Sequence, residues 1–277
     1  AVIDHPAVSA VSLTGSSPTG ARAARACARW LKPLQAELGG NNAAVVLAGA
    51  DLDRAAGDLA ASAYSFAGQR CTAARRLIVE KGIEADFLDR FETAVKVMEL
   101  GDPHDPSTVV GPVISRRQQR RLLGLLDGER ALLGGGVPAE LAAGCFLRPA
   151  LVRPGSPDHQ IVREETFGPV AVLLTAKNRE EAFALANAVP QGLIAALYSD
   201  DPDDQRRFLA VAQAGSLKLN RPTTEVSPSA PFGGWKQSGL GPPEHGRWAL
   251  DFYTRPQAVY EKTARTSGSK CSKGRVS

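Results

Sequence analysis

The sequence predicts an α/β fold, a largely parallel sheet flanked by helices. Apolar runs of strand length alternate with helix-period patterns almost throughout, in a β-α-β-α rhythm that favours parallel pairing. The composition, 43% hydrophobic and 22% charged, is that of an ordinary globular chain and excludes a disordered or fibrous one. No internal repeat interrupts the pattern.

Taken in order, Ala7 to Leu13 (AVSAVSL) is predicted as a strand ending at Thr14-Gly15, and Thr19 to Leu31 as a helix rich in Ala and Arg. Ala43 to Leu47 is predicted as the next strand. Asp51 then caps a helix expected to reach Phe66, with Asp51 and Asp53 favourably placed at its positive end. Arg76 to Val79 is a predicted strand and Ile83 to Val97 a predicted helix. Ser115 is a candidate N-cap for a basic helix to about Leu126. Val170 to Thr175, Leu193 to Tyr198 and Ser216 to Asn220 are further predicted strands, separated by predicted helices at Arg179 to Ala188 and Pro202 to Ala212. Loop signals cluster at Gly101 to Ser107, Gly134 to Pro138 and Pro222 to Pro243. Residues 263–277 are polar and basic, and disorder is expected there.

Lys and Arg total 33 against 29 Asp and Glu, a net charge of +4. That excess is too small for a nucleic-acid footprint, and with aromatics at 6% no nucleic-acid partner is expected. Much of it is local: Arg22, Arg25 and Arg29; Arg116, Arg117, Arg120 and Arg121; and Lys270, Lys273 and Arg275. Solvated helix faces account for the first two groups, with phosphate contact as the other reading. No run of about 18 apolar residues occurs, so no membrane-spanning helix is expected. Cys27, Cys71, Cys145 and Cys271 lie far apart without a CxxC pair, which argues against zinc and against a disulfide framework. Free thiols suit a reducing compartment, here the cytoplasm.

Five blocks carry candidate chemistry. Gly15-Ser-Ser-Pro-Thr-Gly20 joins a strand to a helix, where glycines let the backbone approach an anion facing the helix N–H groups. It is neither a GxGxxG nor a Walker loop, and alone it is equally a plain turn. Glu37-Leu-Gly-Gly-Asn-Asn42 puts a carboxylate before two glycines. Gly68-Gln-Arg-Cys71-Thr72 offers a lone cysteine, which alone is equally an inert packed thiol. Glu164-Glu-Thr-Phe-Gly-Pro169 and Pro231-Phe-Gly-Gly-Trp-Lys236 are the last two, each compatible with a turn.

Together and in this order the blocks VSLTGSSPTG, ELGGNN, AGQRC, EETFGPV and PFGGWKQSG resemble the signatures of the aldehyde dehydrogenase superfamily. The resemblance runs from about Val8 to Tyr260. It implies that Cys71 is a nucleophile whose thiolate adds to an aldehyde carbon, sulfur being both a good nucleophile and a good leaving group. It implies Glu37 as the general base that activates the hydrolytic water, a task that favours a raised pKa in a partly buried site. Glu165 would hold the nicotinamide-side ribose of NAD or NADP, with Phe167 packed nearby. Gly15 and Ser16, in the loop closed by Gly20, would meet the pyrophosphate, and Leu38 would border the nicotinamide. The backbone N–H of Cys71 is a candidate oxyanion donor. The stretches GQRCTAARRLIV, LNRPTTE and GPPEHGRWALDFYT are most similar to members oxidising acidic semialdehydes, such as those of α-ketoglutaric or succinylglutamate semialdehyde. Arg70 and Arg221 are then candidate partners for a substrate carboxylate, or equally structural ion-pair partners.

Family members also carry a long segment ahead of the block resembling VSLTG. It supplies most of the cofactor domain, including the second oxyanion donor, an asparagine. Here only Ala1 to Ala7 precede Val8, and Asn41, Asn42 and Asn220 do not lie in the corresponding motif. The expected organisation is a remnant of the Rossmann-like cofactor domain at 1–39, the thiol-bearing catalytic domain at 40–239, a return and oligomerisation segment at 240–262 and the tail. A homo-oligomer is expected if the N-terminal half is present. The alternative expectation is a truncated, catalytically impaired relative that serves as an interaction or structural protein.

Overall fold

The computed structural model describes residues 2–262. The expectations for residues 263–277, including Cys271 and the basic residues around it, lie outside the described residues.

In chain order the elements are β1 (Val11–Thr14), α1 (Ser17–Arg29), β2 (Leu34–Glu37), β3 (Asn42–Val46), α2 (Leu52–Tyr64), β4 (Ala74–Glu80), α3 (Glu84–Lys96) and α4 (Arg116–Leu126). They continue with β5 (Arg130–Gly134), β6 (Ala150–Arg153), α5 (Gln160–Arg163), β7 (Val170–Ala176), α6 (Arg179–Asn187), β8 (Gln191–Gly192), β9 (Ile194–Tyr198) and α7 (Pro202–Val211). The last are β10 (Ser216–Leu219), β11 (Trp235–Lys236), β12 (Gly239–Leu240) and α8 (Leu250–Tyr253).

The strands form a seven-stranded sheet in the order β10-β9-β3-β4-β7-β6-β5, a three-stranded sheet β1-β2-β12 and a short β11-β8 pair. In the large sheet every pairing is parallel except β5 with β6. β3 to β4 steps one way across it and β7 to β9 and β9 to β10 step the other way. Right-handed crossovers therefore put α2 on one face and α6 and α7 on the opposite one. The central strands are apolar on both sides, as burial between two helical layers requires: Ala44, Val45, Val46, Leu77, Ile78 and Val79 have no exposed surface.

The helix caps follow the sequence. Ser16, Asp51, Ser115, Asn178 and Asp201 each accept a backbone N–H in the first turn of their helix. Several expectations need correcting. The first strand begins at Val11 rather than Ala7. The α2 helix stops at Tyr64, because Phe66 and Ala67 take left-handed backbone angles (φ 56° and 53°). β2, β5 and β6 were not anticipated. The stretch from Phe252 to Glu261 finishes α8 at Tyr253 and is in no strand through Lys262.

Tyr64, Phe87 and Phe91 bind the α2–α3 layer. Phe91 stacks on Phe87 with ring centroids 5.6 Å apart and tilts against Tyr64 at 5.9 Å. Truncating this 1%-exposed ring leaves a cavity its neighbours cannot fill. Phe91→Ala is expected to lower the unfolding free energy by about 3–5 kcal/mol, read from the urea midpoint at unchanged slope.

Candidate functional site

The two sheets meet end to end, and the five blocks gather at that seam. Glu37 ends β2. Gly39–Asn42 leads into β3, Cys71 lies just ahead of β4, and Glu165 just ahead of β7. The C-terminal edge of the small sheet thus faces the N-terminal edge of the large one.

Glu37 is fixed from both sides. Its carbonyl accepts from Gly15 N (3.0 Å), and Leu38 N donates to Ser238 O (2.8 Å) as β12 runs antiparallel to β2. Ser238, with no exposed surface, donates its Oγ to Gly39 O (2.7 Å) and accepts there from Gly192 N (2.9 Å). The Glu37 side chain is 4% exposed. Oε1 accepts from Gly234 N at 3.4 Å, and Oε2 has no partner. Burial pushes its pKa up to about 7; the Gly234 N–H pulls it down and the Glu244 charge pushes it up. The glycines of PFGGWKQSG permit this approach: a Cβ at Gly234 would lie 2.3 Å from Ser238 O.

Cys71 sits in a turn reached through Phe66, Ala67 and Gly68, all left-handed. Its carbonyl accepts from Asn42 Nδ2 (2.7 Å), which also donates to Ala73 O (2.9 Å) across the irregular β3–β4 register. A Cβ at Gly40 would lie 2.1 Å from Cys71 O, so this glycine gives the turn room to dock. Burial raises the Cys71 pKa, the charges of Glu165 and then Glu37 add to it, and the N–H groups of Cys71 and Thr72 lower it. Both carboxylates therefore lie within electrostatic range of the sulfur.

Glu165 Oε1 accepts from Gly40 N (3.1 Å), and a Cβ at Gly39 would come within 2.3 Å of Oε2. Burial raises its pKa, opposed by the Gly40 N–H and the guanidiniums of Arg75 and Arg121. The solvated-face reading of the α4 arginines needs correcting at Arg121 and Arg116. Arg121 donates to Thr166 O (2.9 Å) and Glu165 O (3.0 Å), while Arg116 donates to Ala142 O (3.2 Å) and Ala143 O (2.5 Å). Gln118 Nε2 donates to Thr166 O and Phe167 O, each at 2.9 Å.

Two cavities share Ser16, Leu38, Gly39, Arg121 and Glu165. One, of about 790 Å³, runs along the first turn of α1. The other, of about 920 Å³, contains Gly15, Cys71 and Phe167. The α1 N-terminus with Ser16 and Ser17, and the Glu165 carboxylate over a bare Gly39, suit a phosphate and a ribose respectively. Gly20 lines the α1 cavity and also serves packing: a Cβ there would lie 2.5 Å from Leu38 Cδ2. The Gly15 N–H is committed to Glu37. Asn41, Asn42 and Asn220 are committed as well, donating to Val162 O, to Cys71 O and Ala73 O, and to Ser199 O.

Sequence reasoning missed Ser238, Asn42 as the anchor of the turn, and the buried pair Arg75 and Arg76. Arg75 donates to Gly68 O and Gly168 O, tying the cysteine turn to the Glu165 loop. Arg76 donates to Asn41 O (2.9 Å), Leu185 O (2.7 Å) and Ala186 O (2.9 Å). Two adjacent cations in an apolar strand were the available signal.

An α/β chain with a cysteine and a buried glutamate converging beside a nucleotide-sized cavity belongs to a definite class. The aldehyde dehydrogenase family profile matches residues 1–259, and the chain belongs to that family. A betaine aldehyde dehydrogenase of Agrobacterium fabrum is 36% identical over 271 residues, covering 95% of this chain and 54% of that protein. An NAD-dependent aldehyde dehydrogenase of Sinorhizobium meliloti superposes with a TM-score of 0.87 at 33% identity, over 94% of this chain and 54% of that one. A Mycobacterium tuberculosis aldehyde dehydrogenase complexed with NAD+ also gives 0.87, at 30% identity, over 92% and 53%. The chain spans about half the length of the curated relatives it matches.

The raised pKa of Glu37 makes a stability prediction. Below about pH 4.5 folded and unfolded chains both hold the proton, and there is no penalty. As pH rises toward 7 the unfolded chain releases it while the folded chain keeps it, so stability falls. Above about 7 the loss is complete, at most about 3 kcal/mol. Glu37→Gln is expected to remove it. Urea unfolding should show the variant gaining on the parent across this window and level above it.

Proposed function

We propose that this chain carries the thiol half of an NAD(P)-dependent oxidation of an aldehyde to its carboxylate. The observation that carries the reading is that Cys71 and Glu165 line one cavity with Ser16 and Leu38, with Glu37 buried at the seam beside Gly234. On this reading residues 1–39 are the cofactor-domain remnant, 40–239 the catalytic domain and 240–262 the return segment, which would also serve oligomerisation.

Cys71 Sγ attacks the aldehyde carbon, the C–S bond forms, and the carbonyl π pair moves onto oxygen. The backbone N–H of Cys71 donates to that oxyanion. Glu165, Ser16 and Leu38 would hold the ribose, pyrophosphate and nicotinamide of NAD or NADP, with Phe167 beside the ribose; the bound cofactor supplies the hydride acceptor. Glu37 then takes a proton from water as the water attacks the thioester. A carboxylate poised near pH 7 suits that role. The C–S bond breaks and the sulfur leaves.

For the substrate we propose an acidic semialdehyde. Arg70 lines the Cys71 cavity, with its guanidinium 3.9 Å from the Phe66 ring centroid and no carboxylate partner among the described residues. The cationic tail of a betaine aldehyde would meet a like charge there. Arg221 is committed to Glu225 at 2.6 Å and is not assigned to the substrate.

With aldehyde and NAD+, the chain is expected to form NADH, and Cys71→Ser to form none. Glu37→Gln should lower turnover by about 10²–10⁴-fold and accumulate a Cys71 acyl adduct visible by mass. A Cys71 adduct without NADH in the parent would instead identify a catalytically impaired relative. Arg70→Ala is expected to raise KM for a dicarboxylic semialdehyde by about tenfold, the equivalent of one modest charged hydrogen bond. An equal rise for a simple aliphatic aldehyde would remove the case for charge recognition.

A further inference from the structure

His245 lies outside every role assigned above. Its ring lines the same cavity as Cys71 and Arg70, on the side not shared with the α1 cavity. It stacks on Phe232 with centroids 5.3 Å apart and planes at 28°. The stack is set by a tight two-way bridge: Phe232 N donates to Glu244 O at 2.8 Å, and Glu244 N returns to Phe232 O at 2.7 Å.

Two costs meet at this residue. Its backbone is left-handed (φ 71°), a region where histidine is disfavoured relative to glycine. Its Nδ1 is buried without a protein partner, and an unmet buried polar atom costs about 1–3 kcal/mol. Ring stacking on Phe232 returns part of this, but a leucine would stack without the orphan nitrogen. Arg70 likewise lines the cavity without a carboxylate partner. An imidazole and a guanidinium lining one cavity offer two points of recognition for an oxygen-bearing tail.

We propose that His245 is a specificity-determining residue. Together with Arg70 it hydrogen-bonds, through Nε2 rather than the buried Nδ1, the distal carboxylate of a short acidic semialdehyde whose carbonyl reaches Cys71. This rests on the reading of Cys71 as the nucleophile facing that cavity.

The test needs neither hydride transfer nor cofactor. δ-Chlorolevulinate and chloromethyl isopentyl ketone carry the same reactive carbon, and an isopropyl group in the second replaces the carboxylate of the first. In each the Cys71 thiolate forms a C–S bond and chloride leaves. Labelling rates at Cys71 are read by peptide mass for the full chain and for His245→Asn, which keeps a polar side chain at the same backbone cost but cannot span the same gap.

The parent is expected to favour the acid probe, and His245→Asn to lose about tenfold of that preference while its rate with the apolar probe stays within about twofold. An unchanged acid-to-apolar ratio in the variant, or no preference in the parent, overturns the proposal. Failure of both probes to label Cys71 in the parent overturns the nucleophile reading instead. Should His245→Asn fail to fold, carbethoxylation of His245 in the parent decides: glutarate is expected to slow it, and indifference to glutarate overturns the proposal.

Discussion

The burial of one carboxylate at the seam between two sheets is the constraint on which the rest depends. Glu37 closes β2 where Ser238 ties Gly39, Gly192 and β12 together. Segments from the beginning and the end of the described chain must meet there, which accounts for glycines at 39, 40, 233 and 234. At 39, 40 and 234 a side chain would strike backbone or the Glu165 carboxylate, and at 233 it would strike Pro243. What the seam gains in geometry it loses in solvation. A carboxylate with one long N–H contact and one unpartnered oxygen destabilises the fold above neutral pH in exchange for a usable base.

Around this seam the loops are held by buried cations rather than by apolar packing alone. Arg75 ties the cysteine turn to the Glu165 loop, and Arg76 closes the C-terminal end of α6 by donating to two of its carbonyls. Burial lowers the pKa of Arg75 to about 10 and of Arg76 to about 9, leaving both charged at neutral pH. A guanidinium is suited to this because its planar donors serve several carbonyls at once. Removing either would orphan carbonyls in a dry interior, so the geometry of the sulfur and the stability of the sheet are one problem.

The five blocks and the parallel core were legible in the sequence because they are local. Capping residues such as Asp51 and Ser115 announce helix starts, and apolar runs such as Ala43 to Leu47 announce doubly covered strands. β2, with the sequence LQAE, has no such signature; it is a strand because β1 and β12 flank it. The helix end at Tyr64 escaped for a related reason, since the left-handed turn through Phe66 exists to deliver Cys71 and no propensity marks it. Ser238, Asn42 and Arg75 were illegible as site residues because each acts on a backbone carbonyl or amide distant in sequence. Leu38 and Glu165 line both cavities, and Gly15 and Gly20 each line one of them while also serving the sheet and the packing.

The two carboxylates near Cys71 are not equivalent, because their surroundings differ. The charges of both carboxylates reach the Cys71 thiol and oppose its ionisation. Glu165 has a short amide contact and two guanidiniums in its favour. Glu37 has one amide at 3.4 Å, no cation among its influences, and the further repulsion of Glu244. Burial raises both, but less opposes it at Glu37, whose pKa is pushed up to about 7. A proton on Glu37 also relieves the charge that opposes thiolate formation at Cys71. A carboxyl near 7 can take either state at neutral pH, which is what the role proposed for Glu37 would require.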